Sequence, residues 1–182
     1  MVQEVLAESG LSLKQLDALA FGRGPGSFTG LRIGTGVVQG LGLGAGLSVV
    51  PVSSLAALAQ GQSATHVLAA FDARMSQVYW GAYVQNAHGT VELHGQEHVL
   101  APHDVPVPEP GHGWLGAGSG WDAYADELGA RLGRRVQRWV PQRFPHARDV
   151  VRLAQVALDR GAGVAPEQAL PVYIRDEVTR KI

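Results

Sequence analysis

The chain is 182 residues long, 46% apolar and 17% charged, with a formal net charge of −1. That is enough apolar mass for one large domain or two small ones, and the charge balance excludes a chain that binds nucleic acid through net basicity alone. The absence of cysteine excludes disulfides, zinc ribbons, CxxC redox chemistry and thiol catalysis together; the many glycines and prolines follow no Gly-X-Y period, which excludes collagen.

Val2, Val5 and Leu6 recur at helical spacing, and Ser9-Gly10 ends that helix. The start carries neither a basic segment nor a long apolar one, so no signal peptide is expected. Ser12 caps a short turn over residues 13–16. Residues 18–21 read as a buried strand before a loop over 22–27. A helix is predicted from near Ser27 or Thr29 toward Ala45, then a buried strand over 49–52 and a helix over 54–60 capped by Ser53. Residues 33–52 are uncharged, but glycines at 34, 36, 40, 42, 44 and 46, Ser48 and Pro51 make them a poor membrane span.

A different pattern begins at His66. Strands over 67–71, 77–84 and 91–93, with turns at 72–76 and 86–89, predict an antiparallel meander. Residues 102–113 hold four prolines and read as an irregular connection. A strand over 114–117, a helix over 121–132 and a helix over 148–160 follow; Val150, Val151, Leu153, Ala154, Ala157 and Leu158 are expected along a wide apolar face of the last helix. Val172-Tyr173-Ile174 is a short strand or extended segment. The elements divide near residue 62 into two units, 1–62 and 63–182. The second opens with a meander and the first with a helix, so the first unit is expected to be incomplete at its N-terminus by on the order of thirty residues. Met1 is then an internal methionine or a product boundary, and Thr179-Arg180-Lys181-Ile182 gives no clear stop signal.

The loop Gly24-Pro25-Gly26-Ser27-Phe28-Thr29-Gly30 lies between a strand and a helix, where phosphate-binding loops lie. A Walker A motif fails, because no lysine lies between Lys14 and Lys181. A Rossmann fingerprint fails at Ser27 and Thr29, and the G-x-G-x-x-A run from Gly40 ends a helix instead of opening one. The local reading is a tight strand-to-helix turn, with Pro25 fixing φ and Ser27 or Thr29 capping. Each interior helix glycine costs about 0.5–1 kcal/mol relative to alanine, so the glycines at 30, 34, 36, 40, 42 and 44 need a compensating close approach. One thinned face is expected to serve the sheet and one a partner.

The run Gly24-Pro25-Gly26-Ser27-Phe28-Thr29-Gly30-Leu31-Arg32-Ile33-Gly34 resembles the TsaB (YeaZ) family. Asp72-Ala73-Arg74 followed by Val78-Tyr79, and Pro171-Val172-Tyr173-Ile174-Arg175, resemble it too. The likeness spans residues 1–182 and is strongest over 11–58. It implies an α/β, actin-like (ASKHA) fold of two ribonuclease-H-like units, the first lacking its N-terminal strand meander. It also implies the non-catalytic partner of TsaD in making N6-threonylcarbamoyladenosine at position 37 of tRNAs that read ANN codons. The catalytic paralogue holds a metal with an H-x-x-x-H pair; the matching place here is Ser54-Leu55-Ala56-Ala57-Leu58, and neither Ser54 nor Leu58 supplies an imidazole. No catalytic residue, cofactor or metal is therefore expected on this chain alone, and nucleotide only in the complex. The implied partners are a TsaD-like catalytic subunit, a second copy of the chain in its absence, a TsaE-like ATPase, and tRNA only within the complex. The implied location is the cytoplasm, without membrane contact. The family's contact runs through the first helix and the glycine-rich helix. The expected face is Val2, Val5 and Leu6 with Leu31, Gly34, Thr35 and Val38. A stand-alone actin-like ATPase or small-molecule kinase, and a homodimeric structural module, are the rival readings.

Three further features carry weaker signals. His94-Gly95-Gln96-Glu97-His98 has H-x-x-x-H spacing but lacks the Glu after the first His and the helix of a metalloprotease; no G-x-S-x-G or cysteine supports proteolysis either. Asp72 is expected to pair with Arg74 or to cap its turn. Residues 1–130 hold four basic and eleven acidic side chains (−7), and residues 131–182 eleven and five (+6). Arg131, Arg134, Arg135, Arg138 and Arg143 form a basic stretch read as a solvated helix end and loop, with no aromatic platform evident beside it; a tRNA-phosphate contact is the alternative.

Overall fold

A computed structural model describes residues 2–109 and 111–175. Met1, Pro110 and the terminal Thr179-Arg180-Lys181-Ile182 lie outside the described residues. Helix α1 (Val2–Ser9) ends as expected, with Gly10 at φ 68° and the Leu11 N–H donating to the Leu6 carbonyl at 3.1 Å. The turn at Leu13–Gln15 is closed by reciprocal bonds between Ser12 and Gln15. Strand β1 (Ala18–Gly24), helix α2 (Phe28–Ala45), strand β2 (Ser48–Ser53) and helix α3 (Ser54–Gln60) follow. β1 and β2 pair in parallel. β1 outruns the expected loop boundary because Gly22 and Gly24 still pair with Val52 and Ser53.

The rest of the chain builds a six-stranded sheet from β3 (His66–Asp72), β4 (Val78–Gln85), β5 (Val91–Leu93), β6 (His98–Leu100), β7 (Trp114–Ala117) and β8 (Val136–Val140). Its order is β5-β4-β3-β7-β8, with β6 also on β4. The meander is antiparallel, and β7 and β8 join in parallel. β6 and β8 replace what reads in the sequence as loop. β6 is three residues long, and the three middle residues of β8 are exposed, so neither leaves an apolar alternation.

Helix α4 (Ser119–Leu132) covers one face of this sheet, its own Trp121 joining Trp80 and Trp114 of the strands in one core, all at most 1% exposed. The Trp121 indole donates to the Leu68 carbonyl at 2.9 Å, so its buried N–H is satisfied. Helix α3 covers the other face through Leu55, Leu58 and Ala59 against Val67, Ala69 and Tyr83. Helix α5 (Ala147–Asp159) packs Val150, Leu153, Ala154, Ala157 and Leu158 over Val50 and Val52 of the smaller sheet. Val151, expected on that face, is 58% exposed: it lies 100° round the helix from Val150, beyond the packed stripe.

A polar network ties the smaller sheet to the larger. Glu97 accepts hydrogen bonds from the hydroxyls of Ser53 and Tyr83, and the Ser53 hydroxyl oxygen accepts the Ala56 N–H at 3.2 Å as the N-cap of α3. Burial pushes the Tyr83 phenol well above its usual value; the neighbouring Glu97 carboxylate adds to the shift and Arg23 opposes it. The folded chain therefore holds the phenol proton that the unfolded chain releases above about pH 10. Stability from this group is complete below that pH and is lost progressively as pH rises from there toward the raised value of the folded state. Thermal melts taken from about pH 9 upward should show a steeper alkaline decline for the wild type than for Tyr83→Phe; parallel declines would contradict the assignment.

The Thr35 hydroxyl on α2 is buried without a hydrogen-bond partner among the described residues. Replacing an unsatisfied hydroxyl by a methyl of the same shape removes a desolvation penalty. Thr35→Val is expected to raise the urea unfolding free energy by about 1 kcal/mol; a loss of stability would mean that the hydroxyl is bonded after all.

Candidate partner interface

Helix α2 shows an apolar surface on two sides, and the described residues cover only one. Leu31, Thr35, Val38 and Gly42 recur at intervals of four, three and four residues and form the inward stripe. Val38 packs on Phe21, Val49 and Ala169. At Gly42 a Cβ would come 2.9 Å from Pro166, a close approach that excludes a side chain. On the outer side Ile33, Val37 and Leu43 are 49–63% exposed. Among the described residues a Cβ at Gly34, Gly36, Gly40 or Gly44 would meet nothing within 4 Å. Arg32 is the only charged residue in the helix.

This arrangement corrects the expected face. Thr35 and Val38 are each 6% exposed and belong to the interior, and Leu31 is half-buried beside Gly24. The expectation that one thinned face serves the sheet also fails. The single glycine pressed by a distant part of the chain is Gly42, and it faces Pro166 instead of a strand. Gly34, Val2 and Val5 are exposed, Leu6 is half-buried, and no residue of α1 is buried. Sequence reading missed Ile33, Val37 and Leu43. Both stripes of α2 are apolar, so the helical period gives their spacing but not which one turns inward.

The glycine motif has a structural task that its sequence does not announce. Gly24 has φ 112°, and a Cβ there would lie 2.8 Å from the Val172 carbonyl oxygen. The Gly24-Pro25 peptide is cis. Gly26 is open, Thr29 is exposed, and Ser27 caps α2 by accepting the Gly30 N–H at 3.4 Å. The Arg32 guanidinium lies 3.9 Å from the Phe28 ring centroid and donates to the Tyr173 hydroxyl at 3.2 Å. The Phe28 and Tyr173 rings are 5.6 Å apart. The Val172 N–H donates to the Arg23 carbonyl at 2.8 Å, and Gln39 donates to the Ala169 carbonyl. The residues that resemble the family at 24–34 and at 171–175 therefore pack on each other. Arg175 carries the segment on to Gln77, in the turn just before β4.

The remaining candidates are held in local structure. Asp72 accepts from the Arg74 backbone at 2.8 Å and pairs with its guanidinium at 3.3 Å, as expected. His94 and His98 lie on a bend and on β6, not on a helix, and Glu97 is engaged by Ser53 and Tyr83. Ser54 opens α3, and Leu58 is fully buried. Among the described residues no group of three or more His, Asp or Glu is placed to hold a metal, and no helix is long and apolar enough to cross a membrane.

A family model described as "TsaD: tRNA N6-adenosine threonylcarbamoyltransferase" matches residues 1–113, which fixes the class of α/β protein. The Escherichia coli "tRNA threonylcarbamoyladenosine biosynthesis protein TsaB" is 44% identical over all of this chain and 80% of its own length. The Haemophilus influenzae protein of the same name is 39% identical over all of this chain and 79% of its own. A Pseudomonas aeruginosa crystal structure, described as an uncharacterized protein with similarity to peptidase YeaZ, superposes with a TM-score of 0.88 at 48% identity, covering 96% of this chain and 81% of its own. The chain belongs to the TsaB (YeaZ) family of that class.

Gly24→Ala is expected to cost about 1–3 kcal/mol, and to make the segment after Ala169 more sensitive to protease. Urea unfolding and limited proteolysis check this; unchanged stability would show that the close approach to Val172 is not required.

Proposed function

We propose that the chain is a non-catalytic scaffold subunit that binds and activates a TsaD-like catalytic subunit for threonylcarbamoyl transfer to adenosine 37 of ANN-reading tRNAs. The observation that carries this reading is the outer side of α2, apolar and open over Gly34, Gly36 and Gly40 while its inner side is already packed. A helix facing water gains nothing from these glycines, whereas a second helix can lie close against them. The relatives are named for the biosynthesis of threonylcarbamoyladenosine. Ser54 and Leu58 stand where the catalytic paralogue has histidines, which supports a partner without its own metal.

On this reading the actin-like fold comprises two ribonuclease-H-like units, residues 1–62 and 63–182, and acts in the cytoplasm. The contact face is Val2, Val5 and Leu6 of α1 with Ile33, Gly34, Val37 and Gly40 of α2. A second copy covers the same face when the catalytic subunit is absent. Nucleotide and a TsaE-like ATPase join only in the complex.

Light scattering on the chain alone and mixed with the catalytic paralogue tests the reading. A self-dimer that converts to a one-to-one heterodimer is expected. Val37→Glu and Gly40→Arg should abolish both assemblies while changing monomer stability by no more than about 0.5 kcal/mol. A heterodimer that survives both changes would contradict the face; a wild-type chain that ignores the paralogue would contradict the function.

A further inference from the structure

Residues 131–152 contain seven arginines and a single acidic residue, Asp149. Asp149 is 1% exposed and lies 3.7 Å from Arg148 and 3.9 Å from Arg152, whose side chains remain 72% and 66% exposed. Arg131 donates to the Val105 carbonyl, and Arg135 lies 3.9 Å from Glu109. Arg134, Arg138 and Arg143 are exposed and make no ion pair or side-chain hydrogen bond among the described residues. Read from the sequence, this stretch is a helix end and loop without an aromatic surface. The structure keeps Arg131, Arg134 and Arg135 at the helix end and Arg143 in a loop, and corrects the part between them. That part is β8, the edge strand of the larger sheet, and the edge carries Trp139, 37% exposed. The following loop carries Phe144, 61% exposed.

Edge strands are often guarded by charge, and that accounts for one arginine on β8. It does not account for two exposed aromatic rings beside the guard, since an exposed ring invites the pairing that the charge would prevent. Nor does it account for the lack of surface acids over the whole stretch. Register places Arg138 opposite Leu115 and Trp139 opposite Gly116, so the two side chains leave opposite faces of the edge. The Gln142 N–H donates to the Asp122 carboxylate at 3.1 Å, which fixes the loop that presents Arg143 and Phe144. Unpartnered cations and partly exposed rings that follow one another along one edge match the alternation of phosphate and base in a single strand of nucleic acid. An acidic protein surface would satisfy the arginines but leave the rings in water.

We propose that the free edge of β8 and the loop after it bind single-stranded RNA. Arg134, Arg138 and Arg143 meet phosphates, and bases stack on Trp139 and Phe144. The choice of nucleic acid rests on this surface alone; the choice of RNA over DNA rests on the tRNA pathway proposed above. The site is far in the chain from the α2 face, and its test needs no catalytic paralogue, so the two readings fail separately.

The probe is a fluorescein-labelled 15-nucleotide oligouridine, followed by anisotropy on the full chain, with the DNA counterpart and a poly-glutamate peptide as competitors. Trp80, Trp114 and Trp121 are buried, so quenching of the solvent-exposed indole emission on binding reports Trp139. Salt-dependent RNA binding with quenching is expected. Arg138→Glu with Arg143→Glu should weaken it at least tenfold and lower the salt slope by about 1.4. Trp139→Ala with Phe144→Ala should weaken it by roughly thirtyfold or more at an unchanged salt slope. Melting curves confirm that each variant is folded. No binding at low salt, or binding indifferent to both pairs of changes, overturns the proposal. Loss with the arginine pair but neither quenching nor loss with the aromatic pair overturns the stacking. Stronger competition by poly-glutamate overturns nucleic acid as the occupant, and equal or tighter binding of the DNA overturns the choice of RNA.

Discussion

A helix that packs against its own sheet on one side normally turns charge to water on the other. α2 does not: its inner stripe of Leu31, Thr35, Val38 and Gly42 is covered by the chain, while its outer side shows Ile33, Val37 and Leu43 between bare glycines. Every interior glycine lowers helix stability, so the chain holds this helix by other means. Ser27 caps its start, Gly46 ends it in the left-handed conformation, and β1 and β2 flank it in sequence as a parallel pair. The protein thus keeps in place a helix whose outer surface suits close approach by another backbone.

The C-terminal segment is the second part of that support. Ala169 is fully buried against Val38 and Val49, Val172 bonds to Arg23, and Tyr173 stacks near Phe28 under the reach of Arg32. A loop that sits where phosphate loops sit is here occupied in part by the chain's own tail, with Gly24 bare so that the Val172 carbonyl can come close. The glycine motif therefore reads best as the seat of residues 169–175. This same segment reaches Gln77 of the meander, while Ser53, Tyr83 and Glu97 join the two sheets at another place.

Much of the fold can be read from local chemistry. Ser53 before a short apolar run and Gly61 after it define α3, and the capping pair of Ser12 and Gln15 marks the turn before β1. The Asn86 turn between two alternating runs marks the β4–β5 hairpin. What escapes is decided by tertiary structure. β8 is bound on one edge only and buries little, so its residues follow solvent more than strand periodicity. That failure hid the placing of Trp139 and Phe144 among the arginines. On α2 the inward phase is set by Phe21 and Val49 of the flanking strands together with Pro166 and Ala169, more than 120 residues downstream. The family resemblance points to α2 as a contact helix without giving its phase, so Thr35 and Val38 of the expected face turn out to lie in the interior.

The proposed function depends on whether a TsaD-like partner covers the outer side of α2. Hydrogen–deuterium exchange of this chain, free and saturated with the TsaD-like paralogue, reads that surface residue by residue. Slowed exchange over α1 and over residues 33–44, with the second sheet unchanged, is the result the account predicts. Unchanged exchange over α2 in a complex that nonetheless forms would contradict it.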